Sequence, residues 1–152
     1  MVCSPAFTCS GGACVVDPAS RWNVVLEQLM VNPQTTAGDA WDALGGAPDP
    51  FIEIRVGSDT ATPSRSGSGS DTFTVNFGSG ATASNVRADA IKAYIDFTAW
   101  DEDATSNDVI GRCYYRDLAD AAFGGATQTL NCNRDVASGQ AGFTLTWHLE
   151  RF

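Results

Sequence analysis

Short stretches in which apolar and polar residues alternate, each closed by glycine, proline, serine or asparagine, recur along this chain. Alternation with a period of two marks a strand that buries one face. In Phe51 to Val56 it puts Ile52, Ile54 and Val56 on the buried side, and in 72–77 it puts Phe73, Val75 and Phe77 there. The longest run, 91–99, aligns Ile91, Ala93, Ile95, Phe97 and Ala99 and predicts one continuous strand. Further strands are expected at 109–116, 127–132 and 142–150, the last with Phe143, Leu145, Trp147 and Leu149 inward, and a short exposed edge strand near 61–65. Asp117 is placed to cap a short helix over 118–123, stopped by Gly124 and Gly125. Residues 21–32 can be read in two ways. Trp22, Val25, Leu26, Leu29 and Met30 match a helical stripe, whereas Trp22, Val24 and Leu26 match a strand. The strand agrees with the alternating segments downstream and is adopted.

About eight short strands joined by turns are the profile of an all-β, antiparallel sandwich. The composition agrees, with eight Phe, four Trp and three Tyr set among 15 Gly and six Pro. A chain of 152 residues, 43% of them hydrophobic, supports one core and hardly two. Residues 21–152 are therefore assigned to the sandwich and residues 1–20, which end near Asp17-Pro18, to a cysteine-rich arm and linker. The turn-rich connection from Pro33 to Asp49 is long enough to expect a function of its own.

A net charge of -9 repels phosphate backbones and argues against a nucleic-acid partner. It repels anionic membranes too, unless a divalent cation bridges the two surfaces. Simple solubility of an exported protein is the plainer account of the same charge. No run approaches the roughly 20 apolar residues of a membrane span. The opening Met1-Val2-Cys3-Ser4 lacks the basic and apolar regions of a signal peptide, so an export signal, if there was one, is expected to have been removed; a secreted or cell-surface location is the expectation. Five cysteines stand at 3, 9, 14, 113 and 132. The first three form a dense, turn-rich cluster of the kind found in exported disulfide knots. Zinc is the competing reading, but no Cys-x-x-Cys pair exists and His148 is remote. Cys113 and Cys132 fall on strands expected to be neighbours and can bridge, and the odd count leaves one thiol free, or paired with a partner or a further segment.

Candidate chemistry concentrates just after the run at 91–99. Asp101 and Asp103 point the same way in an extended chain, and a tight turn through 104–107 returns Asp108 beside them. Three carboxylates brought together repel, so a hard cation orders what would otherwise be a loose loop. Ordinary turn formation by Asp, Asn and Ser is the alternative. An EF-hand is excluded, because Ser106 stands where its glycine belongs and Arg112 where its bidentate glutamate belongs.

Two segments carry a family resemblance. Pro48-Asp49-Pro50-Phe51-Ile52-Glu53-Ile54, preceded by Asp42-Ala43-Leu44-Gly45-Gly46, resembles the first calcium loop and adjoining strand of the C2 domain, a calcium-dependent phospholipid-binding module. Trp100-Asp101-Glu102-Asp103, then Asn107-Asp108-Val109-Ile110-Gly111, is similar to that family's third calcium loop. The resemblance spans about 21–152 and implies an eight-stranded sandwich with calcium held between loops at one end. Carried over position by position, it implies Asp42 and Asp49 as first-loop ligands, Asp101, Asp103 and Asp108 as third-loop ligands, and the backbone carbonyl of Glu102. With one clear strand before the first loop, it implies the permuted, type II topology, in which the final strand lies where other members place their first. It also suggests a secreted, bacterial-type variant carrying a cysteine-rich N-terminal arm. The spacing departs from the family: Asp42 to Asp49 is one residue longer, Asp103 to Asp108 one shorter. The basic cluster that many relatives use for phosphoinositides is missing, since 57–70 hold one Arg and no Lys.

Trp41 and Leu44 flank Asp42, where relatives dip apolar tips into bilayers; the other reading folds Trp41 back over the loop base. His148 is expected to face outward with no nucleophile nearby in sequence, and carboxylates spaced as metal ligands are poor candidates for a separated acid and base, so no catalytic activity is expected. The expected function is calcium-dependent attachment to a membrane phospholipid or a protein surface. The alternative is a structural or assembly domain in which calcium only stiffens loops and the N-terminal arm mediates self-assembly.

Overall fold

The computed structural model describes residues 2–39, 46–103, 107–133 and 140–152. Strands β1 (Phe7–Ser10) and β2 (Ala13–Val16) form a hairpin of their own. Then come β3 (Arg21–Val31), β4 (Pro50–Val56), β5 (Ser64–Arg65), β6 (Thr74–Asn76) and β7 (Ala83–Arg87). A short helix α1 (Ala88–Ala93) precedes β8 (Ile95–Asp101) and β9 (Asp108–Tyr115), and a 3-10 turn at Asp120–Gly124 precedes β10 (Gln128–Asn131) and β11 (Phe143–Arg151). Two antiparallel sheets face each other: β10-β11-β3, with β6 and β7 sharing the far side of β3, and β5-β4-β8-β9. This is an all-β sandwich, and its final strand β11 lies against β3, the first strand of the sandwich, as the permuted topology requires.

The ambiguous segment 21–31 is a strand, and a bulge explains why it imitates a helix. Along β3 the register with β11 pairs Leu26 with Trp147 but Gln28 with Thr146, leaving Glu27 as the extra residue. The inward set is therefore Trp22, Val24 and Leu26, then Leu29 and Val31, and the change of phase produces a spacing that resembles a helical stripe. The bulged Glu27 is held in turn: its carboxylate accepts a hydrogen bond from Thr127 Oγ1 at 2.8 Å and lies 2.7 Å from His148 Nδ1. His148 thus faces away from the core, as expected, and is engaged there.

The expected strand over 91–99 is corrected. Its first half is α1, and the strand begins only at Ile95. Ala88, Ala90 and Ala93 favour helix, and Asp89 in the first turn accepts the Ala90 amide and pairs with Arg87. Ile91 is still buried, because α1 lays Ala88 and Ile91 on the core. The alternation is real as a pattern, but its Ile91-Lys92-Ala93 portion is equally the last part of a helix that buries Ile91. The helix expected over 118–123 also differs. Asp117 adopts a left-handed φ of 56° and caps nothing, and a 3-10 turn starts two residues later than expected, ending at Gly125 with φ 77°. The run at 72–77 pairs as a strand over three residues only, with Phe73, Val75 and Phe77 partly buried against the core.

Phe97, Trp147, Phe143, Leu145, Leu26, Leu29, Ile52, Ile54 and Ile110 fill the space between the sheets and are fully buried. The expected inward face of 142–150 is the one observed. On the outer face of β8, Asp96 is wholly buried and takes hydrogen bonds from Arg112, Tyr94 and Thr98, which satisfies its charge.

Cys113 and Cys132 are bonded, but not across neighbouring strands of one sheet. Cys113 is on β9 and Cys132 lies just past β10, the outer strands of opposite sheets, so the disulfide closes one flank of the sandwich. Closing the loop over 19 residues removes denatured-state freedom worth about 3 kcal/mol. Replacing both cysteines by serine is expected to lower the urea-extrapolated unfolding free energy by about that amount; an unchanged midpoint and slope would show that the flank is held without it.

Candidate metal site

Antiparallel order dictates which connections meet. β3, β5, β8 and β10 end, and β4, β6, β9 and β11 begin, at the same end of the sandwich. The described parts of the connections before β4, β6, β9 and β11, residues 32–39 and 46–49, 66–73, 102–103 and 107, and 132–133 and 140–142, therefore share that end. The first and third of these carry the carboxylates singled out from sequence.

β8 is the central element. Its last residue, Asp101, is in register with Pro50 on β4 and with Asp108 on β9. Asp49 and Asp108 thus flank Asp101 on either side. Trp100 pairs with Val109 one step below, where the β8–β9 register shifts. The Asp49 amide donates to Asp101 Oδ1 at 2.7 Å, and the Glu102 amide donates to the Asp49 carbonyl at 3.0 Å. Asp49 and Asp101 are half-buried, while Asp103 and Asp108 are exposed. Asp42, together with Trp41 and Leu44, lies outside the described residues.

Asp71 joins this end without having been singled out from sequence. Its amide donates to Asp49 Oδ1 at 2.5 Å, and its own Oδ1 accepts the Ala47 amide at 3.0 Å, so it ties the 66–73 segment to the stretch before β4. It holds a left-handed φ of 47°, a conformation aspartate tolerates better than most residues. In sequence Asp71 is one more polar residue in a Ser/Gly-rich stretch. The signal that could have found it is topological, since the connection leaving an edge strand beside β4 must turn at the end where β4 begins.

Glu102 is turned elsewhere. Its carboxylate pairs with Arg65 of β5 at 2.7 Å, and Arg65 also sits over the Phe51 ring, 3.7 Å from its centre. The hydrogen bond from Arg65, with a second from Ser68, holds the Glu102 carboxyl below the usual glutamate range. That leaves the backbone carbonyl as the group Glu102 could offer to the loop end. On the outer face of the same sheet Arg55 pairs with Glu53 and Arg112 with Asp96, so those cations are already engaged.

The donors at this end are carboxylate oxygens, the hard ligands that calcium takes in flexible numbers. Asp49 and Asp101 each spend Oδ1 on a backbone amide, which orients the carboxylate, and each has a second oxygen. Among the described residues, the set of three metal-capable atoms within 4.8 Å of one another is the sulfurs of Cys3, Cys9 and Cys14, so the aspartates share one end without being drawn into a closed cage. The residues fit calcium in kind. A bound calcium would offset their mutual repulsion and present positive potential on an acidic surface.

A sandwich of two four-position antiparallel sheets with acidic connections gathered at one end defines a recognisable class of module. No family model matches the chain, and no curated protein matches it by sequence. Solved structures match it by shape. A C2 domain of plant extended synaptotagmin 1 superposes with a TM-score of 0.61 at 14% identity, covering 90% of this chain and 98% of that one. A calcium-bound structure of two C2 domains of extended synaptotagmin 2 gives 0.61 at 14% identity, covering 89% of this chain and 46% of that one. Human GIVD cytosolic phospholipase A2 gives 0.58 at 13% identity, covering 88% of this chain but 16% of that one. The chain has the fold of a C2 domain.

The carboxyl of Glu102 gives a direct test of the loop-end geometry. Its folded pKa lies below its unfolded value of about 4.3, so its contribution to stability is present above that pH and is lost as pH falls through the folded value. Side-chain carbon NMR should find the Glu102 midpoint below the ordinary glutamate range in the intact protein, and Arg65→Ala should raise it. An unmoved midpoint would mean that Arg65 is not its partner in solution.

Proposed function

We propose that this domain binds calcium through Asp49, Asp101, Asp103 and Asp108, with Asp42 and the Glu102 carbonyl completing the set, and that the metal attaches it to a phospholipid membrane or a protein surface. The observation that carries the reading is the register of β8, which sets Asp101 between Asp49 and Asp108 at one end of the sandwich. The C2 fold supports it, and one structure of similar shape is described as calcium bound. The role is non-catalytic and the setting extracellular or at the cell surface, which suits two disulfides and an acidic chain. Trp41 and Leu44 are the candidate membrane-facing tips.

An extracellular-type site of this kind is expected to bind weakly, with a Kd on the order of 0.1–1 mM. Calorimetry, or the fluorescence of Trp100 next to Asp101, should show saturable binding in that range. Asp103→Asn with Asp108→Asn should abolish the response and leave the unfolding midpoint without calcium almost unchanged, because both side chains are exposed. Silence at about 5 mM calcium, well above the expected range, would refute the proposal. Liposome co-sedimentation with and without calcium then separates lipid attachment from a protein partner.

A further inference from the structure

The N-terminal arm contains chemistry that the calcium reading does not use. Gly11 and Gly12, both at positive φ (56° and 83°), turn β1 into β2 and bring Cys9 directly opposite Cys14. Residues directly opposite in an antiparallel pair present their side chains on the same face. Cys3 folds back towards that face through a turn in which the Phe7 amide donates to the Ser4 carbonyl. Cys3 is bonded to Cys14, and the Cys9 sulfur stands 2.7 Å from the Cys3 sulfur. Cys9 and Cys14 are both exposed and Cys3 is half-buried. One sulfur therefore lies between two solvent-facing partners that a β ladder holds in register.

The base of this hairpin is anchored. Val16 is buried in the core, the Phe7 ring meets Trp22 edge-on at 6.4 Å, and the Asp17 amide donates to the Ala6 carbonyl. Moving the disulfide from one partner to the other needs side-chain rotation on a fixed frame, without refolding.

We propose that the arm is a thiol–disulfide exchange site in which Cys3 is the shared partner of Cys9 and Cys14. The Cys9 thiolate attacks Cys3 Sγ; the Cys3–Cys9 bond forms as the Cys3–Cys14 bond breaks, and the electron pair leaves on Cys14 Sγ, which takes up the proton that Cys9 gave to solvent. Nothing is oxidised or reduced overall. The exposed thiol moves between position 9 and position 14, so the arm offers two alternative points of mixed-disulfide formation to external thiols and disulfides.

The test is disulfide mapping on the full chain. The protein is held near pH 8.5, about the pKa of an ordinary thiol, quenched in acid, alkylated with N-ethylmaleimide and digested. Alkylated Cys9 and alkylated Cys14 are both expected, within about tenfold of each other, a free-energy difference of about 1.4 kcal/mol. The ratio should be reached at a rate independent of protein concentration, as an intramolecular step demands. Cys14→Ser should carry a Cys3–Cys9 disulfide, and Cys9→Ser a Cys3–Cys14 disulfide. Label confined to Cys9 over hours, label on Cys3, a rate that rises with protein concentration, or a Cys14→Ser chain with both remaining arm cysteines alkylated would each overturn the proposal.

Discussion

The pairing of β8 with a strand on each side governs everything at the loop end. Because β8 is the inner strand between β4 and β9, its last residue has a neighbour to left and right, and both neighbours are aspartates or adjoin one. Asp101 and Asp108 pair directly across β8 and β9, and Asp49 immediately precedes β4, so the ladder fixes which strand end carries each carboxylate. Backbone amides at the same end hold two of them, since those of Asp49 and Asp71 donate to carboxylate oxygens of Asp101 and Asp49. These hydrogen bonds orient the two carboxylates at the loop end.

The core makes that arrangement rigid. Below the acidic residues, Gly111 on β9 lies so close to the start of β11 that a β-carbon there would stand 3.2 Å from the Phe143 ring and 3.3 Å from the Gly142 backbone. The amides of Ala141 and Gly142 both donate to the Ile110 carbonyl. The two sheets are thus joined directly beneath Asp108, and a larger residue at 111 would push the strand that carries it. The disulfide between Cys113 and Cys132 closes the same flank two residues further along β9.

Much of this was legible in the sequence, for a physical reason in each case. Strands with clean alternation, such as 51–56 and 143–151, declare their buried face. The Asp-Pro before β4 and the Asp-x-Asp after β8 mark strand ends, and antiparallel pairing then puts them together. What was not legible depended on tertiary structure. The bulge at Glu27 changes phase because β11 needs it, and no local residue announces it. The helix at Ala88–Ala93 hides because its last three residues, Ile91-Lys92-Ala93, also continue the alternation of the strand that follows. Asp71 enters the site from a segment with no motif, through topology alone. Cys113 and Cys132 meet across the sheets, a pairing that neighbouring-strand logic does not reach.

Calcium held jointly by carboxylates of the first and third connections is what the proposed function requires. Carboxyl-carbon NMR of the aspartates during a calcium titration tests it most directly. The resonances of Asp49, Asp101, Asp103 and Asp108 should move together along a single isotherm while those of Asp59, which follows the far end of β4, and of Asp120 in the 3-10 turn stay in place. Shifts that trace unrelated isotherms, or none at all, would contradict the account.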